Sequence, residues 1–196
     1  VKLDVCRNQT EDDYLILNYD DEITKAMAQD ERVQAKVVYF SRLHSLEEGV
    51  CLKDEAIVIR ENGQETKVID LADLRLLGAH NIENYMAAIL AVEGLVPDRV
   101  IEEVAKTFGG VEHRIELVRI KDGVRFYNDS IASSPSRTIA GLRSFPEKVI
   151  LIAGGYDKHI PYDVLGPEIC AHVKKLFLGG ATGPQIRAAV EDSAAY

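Results

Sequence analysis

The sequence lacks any apolar run of the roughly 18–20 residues that a bilayer span needs, and no charged-then-apolar leader opens it. No membrane partner is expected. Cysteine is scarce: Cys6, Cys51 and Cys170 are odd in number, far apart, and without a pair at metal-ligand spacing, which fits a reducing cytoplasm. Positive charge is short as well, with 23 Lys and Arg against 32 Asp and Glu and a net charge of −9. That balance argues against a general nucleic-acid or acidic-membrane surface, and the scattered basic residues show no alternation with aromatics, so no nucleic-acid partner is expected. A local anion site stays possible. There is no Gly-x-Gly-x-x-Gly turn, which sets aside a plain dinucleotide dehydrogenase. There is no internal repeat and no low-complexity segment. There is no initiating methionine, and the charged amphipathic opening reads as part of a longer protein.

What is present is ordinary for a globular protein: 196 residues, 46% hydrophobic and 28% charged, enough for one large or two small domains with a sizeable core. Residues 1–9 read as the last turns of a helix. Tyr14-Leu15-Ile16-Leu17-Asn18 is a short continuous apolar run of the buried parallel-strand kind. Asn18-Tyr19-Asp20-Asp21 closes that strand; a weakly helical stretch from Ile23 to Gln29 and a strand from Val37 to Ser41 follow. Residues 56–60 and 66–69 flank Asn62-Gly63, a hairpin signal placed at an edge or as an appended ribbon. The clearest helix spans residues 78–94, with Ile82, Met86, Ile89, Leu90 and Val92 near one face. A second helix covers 100–108, and Gly109-Gly110 is the expected joint between two domains.

Beyond that joint, strands are expected at 115–120, 124–127, 149–153 and 175–178, and helices at 136–144, 162–172 and 185–191. The alternation predicts a parallel sheet with right-handed crossovers. Ser134-Pro135 has the form of a helix cap followed by proline at the first helical position. Three polar loops are then expected at one sheet edge: 129–134, 154–159 and 179–182. In open α/β sheets, ligands lie beyond the carboxyl ends of the strands. Asp129 therefore stands where binding is expected, or else is simply a turn former. Lys158 can offer an ammonium to a carboxylate or phosphate, or stay solvated. Asn81 and Asn84, three apart on a helix, can hydrogen-bond a purine edge or serve as a cap and a solvated face. His113-Arg114 beside the joint can hold a phosphate or make salt bridges.

Gly78-Ala79-His80-Asn81-Ile82-Glu83-Asn84 with Ala87-Ala88, then Glu112-His113-Arg114-Ile115-Glu116, Tyr127-Asn128-Asp129-Ser130 and Gly154-Gly155-Tyr156-Asp157-Lys158 form, in this order, a set that resembles the Mur ligases, ATP-dependent amide ligases of peptidoglycan synthesis. The likeness is strongest to members that add D-glutamate to UDP-N-acetylmuramoyl-L-alanine. It implies an α/β chain in two parts. Residues 1–110 would be the end of a central ATP-binding domain, a sheet remnant with a β-hairpin, and residues 111–196 an incomplete Rossmann-like parallel C-terminal domain. By position it implies Asn81 and Asn84 at the adenine, Arg114 at a nucleotide phosphate, Asp129 at the ribose, and Ser133 and Lys158 at D-glutamate, with His113 counted in the same ATP site. Lys2 would be a carbamylated lysine that helps bind Mg2+ beside ATP. Cytoplasmic peptidoglycan synthesis, in the service of cell shape and division, by an enzyme monomeric when intact is the implied setting. Departures are also plain. The family's Gly-Lys-Thr phosphate loop is absent, Ile131 stands where some relatives carry lysine, and the serine loop expected to complete the D-glutamate site is missing. The piece alone is expected to be inactive. Rival expectations are another Mur-type or folylpolyglutamate-type ligase, or a non-catalytic nucleotide-binding module.

Overall fold

The computed structural model describes residues 2–76 and 78–194. The chain divides near Gly109-Gly110 into two units; residues 2–76 and 80–109 form the first, and residues 78–79 and 110–194 the second.

The first unit is built on a five-stranded sheet in simple order: β1 (Tyr14–Asn18), β2 (Lys36–Ser41), β3 (Gly49–Lys53), β4 (Ala56–Glu61) and β5 (Gln64–Asp70). β1, β2 and β3 are parallel, and β3, β4 and β5 are antiparallel. β1 is apolar throughout because both its faces are covered. Leu15 and Leu17 pack with Cys6 and Ala35 on one side, while Ile16 meets the cluster of Phe40, Val50, Ile57, Met86 and Ile89 on the other. Cys6 belongs to a 3-10 helix, Lys2–Asn8, within the stretch expected to hold the last turns of a helix. Helix α1 (Glu22–Met27) starts where the Asp21 carboxylate accepts from the Thr24 N–H at 2.8 Å.

The hairpin forms as expected, and its turn is the tightest kind. Glu61 lies opposite Gln64, leaving Asn62 (φ 52°) and Gly63 (φ 75°) as the two turn residues, both left-handed as such a turn requires. It lies at the sheet edge, one of the two expected placements, and is no appendage. β3, which the sequence reading passed over, joins it to the parallel strands, and Val50 and Cys51 of β3 are completely buried. Helix α2 (Ala79–Val92) buries Met86 and Ile89 in the main cluster, as its spacing predicts. Helix α3 (Asp98–Thr107) packs beside β5, and the Tyr85 hydroxyl donates to the Ala105 carbonyl at 3.3 Å, tying α2 to α3.

The second unit contains a hairpin and a three-helix parallel α/β segment. β6 (Glu116–Lys121) and β7 (Val124–Asn128) pair antiparallel across Asp122-Gly123. β8 (Val149–Gly155) and β9 (Val173–Gly180) pair in parallel, joined through α5 (Leu165–His172). Among the described residues β7 is bonded to β6 alone and β8 to β9 alone, so the expected single sheet edge collecting all three polar loops is corrected: the loop after β7 leaves a separate ribbon. The local closure of a two-residue Asp-Gly turn pairs β7 with its sequence neighbour. On β8, Val149, Leu151 and Ala153 pack with Leu142, Leu165, Ile169 and Ile186 from α4 (Pro135–Leu142), α5 and α6 (Gly183–Ala194), whereas Ile150 and Ile152 on the other face are exposed. Gly154 (φ 132°) is fixed by sterics, because a Cβ there would stand 1.8 Å from the Gly179 carbonyl oxygen.

Candidate functional site

In the first unit, the carboxyl ends of the parallel strands gather the polar groups. Asp20, just past β1, has a side chain only 7% exposed and is the hub of the loop that follows β2. Its Oδ1 accepts from Ser41 Oγ at 2.5 Å and lies 2.9 Å from His44 Nδ1; its Oδ2 accepts from the N–H groups of Arg42 at 2.7 Å and Leu43 at 3.2 Å. Burial is the largest single influence on this carboxyl and pushes its pKa up. The bonds from Ser41, His44, Arg42 and Leu43 together outweigh it, and the pKa lies below the ordinary aspartate value. From the same loop, Arg42 Nε donates to Glu83 Oε1 at 3.0 Å, in the second turn of α2.

That ion pair brings the start of α2, and with it Asn81 and Asn84, to the carboxyl side of β2. Asn84 Nδ2 donates to Asn81 Oδ1 at 3.2 Å. Asn81 is buried rather than solvated, which corrects the reading of both amides as an open polar face; Asn84 alone is exposed. Lys2 begins the 3-10 helix, and its side chain lies outside the described residues.

In the second unit, Arg114 is carried between two residues in the left-handed region, His113 (φ 65°) and Ile115 (φ 46°). That conformation is uncommon for any side chain and strained for a β-branched one. Three hydrogen bonds hold it: Ile115 N–H to Asp129 Oδ1 at 3.1 Å, His113 N–H to Glu116 Oε2 at 2.8 Å, and Ile131 N–H to the His113 carbonyl at 3.2 Å. Because the Ser130 N–H donates to Asn128 Oδ1, the Asn128 amide nitrogen faces His113 Nδ1 at 2.7 Å. Nδ1 therefore accepts, and the imidazole carries its proton on Nε2. Asp129 also presses on α4, since a Cβ at Gly141 would lie 2.8 Å from its Oδ2.

The structure thus joins His113, Arg114 and Asp129 in one local frame. Ser133 lies four residues past Asp129, with its N–H donating to the Ile131 carbonyl at 2.8 Å. Ser134 precedes α4 as expected, but its hydroxyl makes no cap; it meets Ser136 Oγ at 3.2 Å instead. Lys158 is exposed on the loop after β8, where Asp157 accepts from Gln185 Nε2 at 2.9 Å and from the His159 N–H at 2.8 Å, contacts that lower the Asp157 pKa. The sequence reading missed Asp20, Ser41, Arg42, His44 and Glu83 as a network. The available signal was an aspartate at the carboxyl end of a parallel strand.

Among the described residues, no group of three or more His, Cys, Asp and Glu side chains is placed to hold a metal ion. No helix among them is long and apolar enough to cross a membrane.

Residues 1–92 match the family described as Mur ligase middle domain. The chain is 53% identical over 191 residues to the UDP-N-acetylmuramoylalanine--D-glutamate ligase of Acetivibrio thermocellus, and 49% identical over 191 residues to the ligase of the same name from Ruminiclostridium cellulolyticum. Each alignment covers 97% of this chain and 41% of the relative, so the chain spans about two fifths of the length of these curated relatives. Solved structures share the fold: the UDP-N-acetylmuramate-alanine ligase MurC of Thermotoga maritima at TM-score 0.61 and 16% identity (90% of this chain, 40% of that one), and MurF from Acinetobacter baumannii at 0.63 and 13% (99% and 48%).

Proposed function

We propose, because the chain belongs to the Mur ligase family, that it is the nucleotide- and amino-acid-receiving part of a cytoplasmic, ATP-dependent ligase joining D-glutamate to UDP-N-acetylmuramoyl-L-alanine. The observation that carries this reading is the 53% identity over 97% of the chain to a relative of that name. Residues 1–110 are assigned to the central domain and residues 111–196 to the C-terminal domain.

The geometry is compatible with the roles. Asn84 presents an amide whose oxygen accepts and whose nitrogen has a second hydrogen to donate once the first is given to Asn81; adenine offers a matching amino donor beside a ring-nitrogen acceptor. Asp129, with one oxygen already taking the Ile115 N–H, accepts a ribose hydroxyl. Arg114, held out by the strained turn, pairs with phosphate, and His113 offers its Nε2 proton beside it. Ser133 and Lys158 receive the carboxylates of D-glutamate. ATP enters with magnesium, for which Lys2, through a carbamate, is the ligand proposed on this chain.

In the whole enzyme the alanyl carboxylate oxygen attacks the γ-phosphorus of ATP, ADP leaves, and an acyl phosphate forms. The neutral amine of D-glutamate then adds to the acyl carbon; the tetrahedral adduct expels phosphate, loses a proton and leaves the amide. Positioning and charge neutralisation do most of this work. The chain alone carries no Gly-Lys-Thr loop and is expected to show no ligase turnover. Calorimetric titration of the chain with ADP and GDP tests the reading: ADP should bind in preference, whereas equal or absent binding of both would overturn the nucleotide assignment.

A further inference from the structure

We propose that Arg42 and Glu83, backed by Asp20, are positioning residues that set the rotation of α2 and thereby the chain's preference for adenine over guanine. This rests on the nucleotide assignment above and adds residues that lie on no part of the ligand's own contact set.

The chain of contacts runs from a buried anchor to the binding amides. Asp20 is fixed beneath the loop by four bonds, two of them to the backbone N–H groups of Arg42 and Leu43, so the backbone of Arg42 has little freedom. Ser41, which also donates its hydroxyl to Asp20, is completely buried, and that same hydroxyl oxygen accepts the His44 N–H at 2.8 Å. The Arg42 side chain then crosses to Glu83, 41 residues away in sequence, and both side chains are 29% exposed. A pair partly withdrawn from water is held more firmly than a fully exposed one.

Glu83 stands in sequence between Asn81 and Asn84 and one turn before Met86, so the ion pair holds the helix at the flank of the face that Met86 and Ile89 bury. The helix is therefore held by its buried face and, beside that face, by the ion pair, at the turn that carries the amides. Side-chain ends stand about 5–6 Å from a helix axis, so a rotation of about 10° displaces them by about 1 Å. An adenine amino group and ring nitrogen must both be met by one planar amide, and an error of that size is enough to spoil one of the two bonds. A guanine, which presents a carbonyl where adenine presents its amino group, gains nothing from the correct rotation.

The pair would thus act on base preference rather than on nucleotide affinity in general. The experiment measures ADP and GDP affinity of the chain in four variants: Arg42→Gln, Glu83→Ala, the charge swap Arg42→Glu with Glu83→Arg, and Arg42→Lys. The single losses should weaken ADP about five- to tenfold while GDP is unchanged. The swap should recover most of the ADP affinity, and Arg42→Lys should keep the wild-type preference. The Asn84 side-chain amide resonance gives a second readout in folded protein without ligand, and it should move in the two single variants and return in the swap. An unchanged ADP-to-GDP ratio in folded variants, or equal losses of both nucleotides, would overturn the positioning role while leaving the nucleotide assignment standing. A wild-type chain that does not prefer ADP would overturn the assignment itself and the positioning role with it.

Discussion

Replacing Asp20 by alanine removes the acceptor for four donors at once, and the structure allows the cost to be apportioned. His44 is 58% exposed, and the Leu43 N–H belongs to an exposed residue, so water can take over those two bonds. Ser41 is fully buried, and the Arg42 N–H donates at 2.7 Å to a carboxylate 7% exposed, so these two donors lose their partner without easy replacement. At about 1–2 kcal/mol for each bond to a charged group left unmade, Asp20→Ala should cost roughly 3 kcal/mol. With a urea dependence of about 1–3 kcal/mol per molar, the midpoint of the first unit's transition should fall by roughly 1–3 M. Urea titration followed by far-ultraviolet circular dichroism measures this. A midpoint shift under about 0.3 M at unchanged slope would mean that the loop is held by other contacts, and the reasoning from the Asp20 hub would be refuted.

The pH dependence follows from the same group. The folded pKa of Asp20 is below its ordinary value of 3.8, so the carboxylate stabilises the fold above that value and the contribution is lost as pH falls through the lower, folded pKa. The difference between acid titrations of wild type and Asp20→Ala should therefore begin to shrink below about pH 3.8 and go on shrinking through the lower, folded pKa, and curves that stay parallel to the lowest pH would contradict the assignment. In the second unit, Gly141→Ala should separate stability from binding. Alanine in a helix interior gains up to about 1 kcal/mol over glycine, offset by the displaced Asp129 carboxylate and its bond to the Ile115 N–H. The melting temperature should change by only a few degrees while ADP affinity falls severalfold; full retention of affinity would show that Asp129 does not act from this position.

What the sequence made legible was whatever rests on local signals. Asn62-Gly63 announces its turn, because few other pairs accept two left-handed residues in succession. The spacing of Met86 and Ile89 marks the buried side of α2, and the paired glycines at 154–155 and 179–180 mark the ends of two parallel strands. β3 escaped notice because Gly49–Lys53 is short, begins with glycine and bonds to β2 at only two positions, Phe40 with Val50 and Ser41 with Cys51. Its strand identity comes from the long-range burial of Val50 and Cys51, which no window of sequence displays. The hairpin of β6 and β7 shows the opposite case: Asp122-Gly123 closes a local turn, and this pairing overrides the strand-helix alternation that predicts β7 in the parallel sheet. Of the candidate site, Arg114 and Asp129 fall together because the chain between them is a hairpin. Asp20, Arg42 and Glu83 could not be linked from sequence, since their contact spans 41 residues from Arg42 to Glu83 and depends on β2 lying beside β1.

The proposed activity is that of an enzyme that adds D-glutamate to UDP-N-acetylmuramoyl-L-alanine, of which this chain is a part. Its most direct test is ADP formation by the complete gene product with that nucleotide sugar, comparing D-glutamate with L-glutamate, L-lysine and glycine as acceptors. Turnover with D-glutamate alone is the predicted result; turnover with another acceptor, or with none, would contradict it.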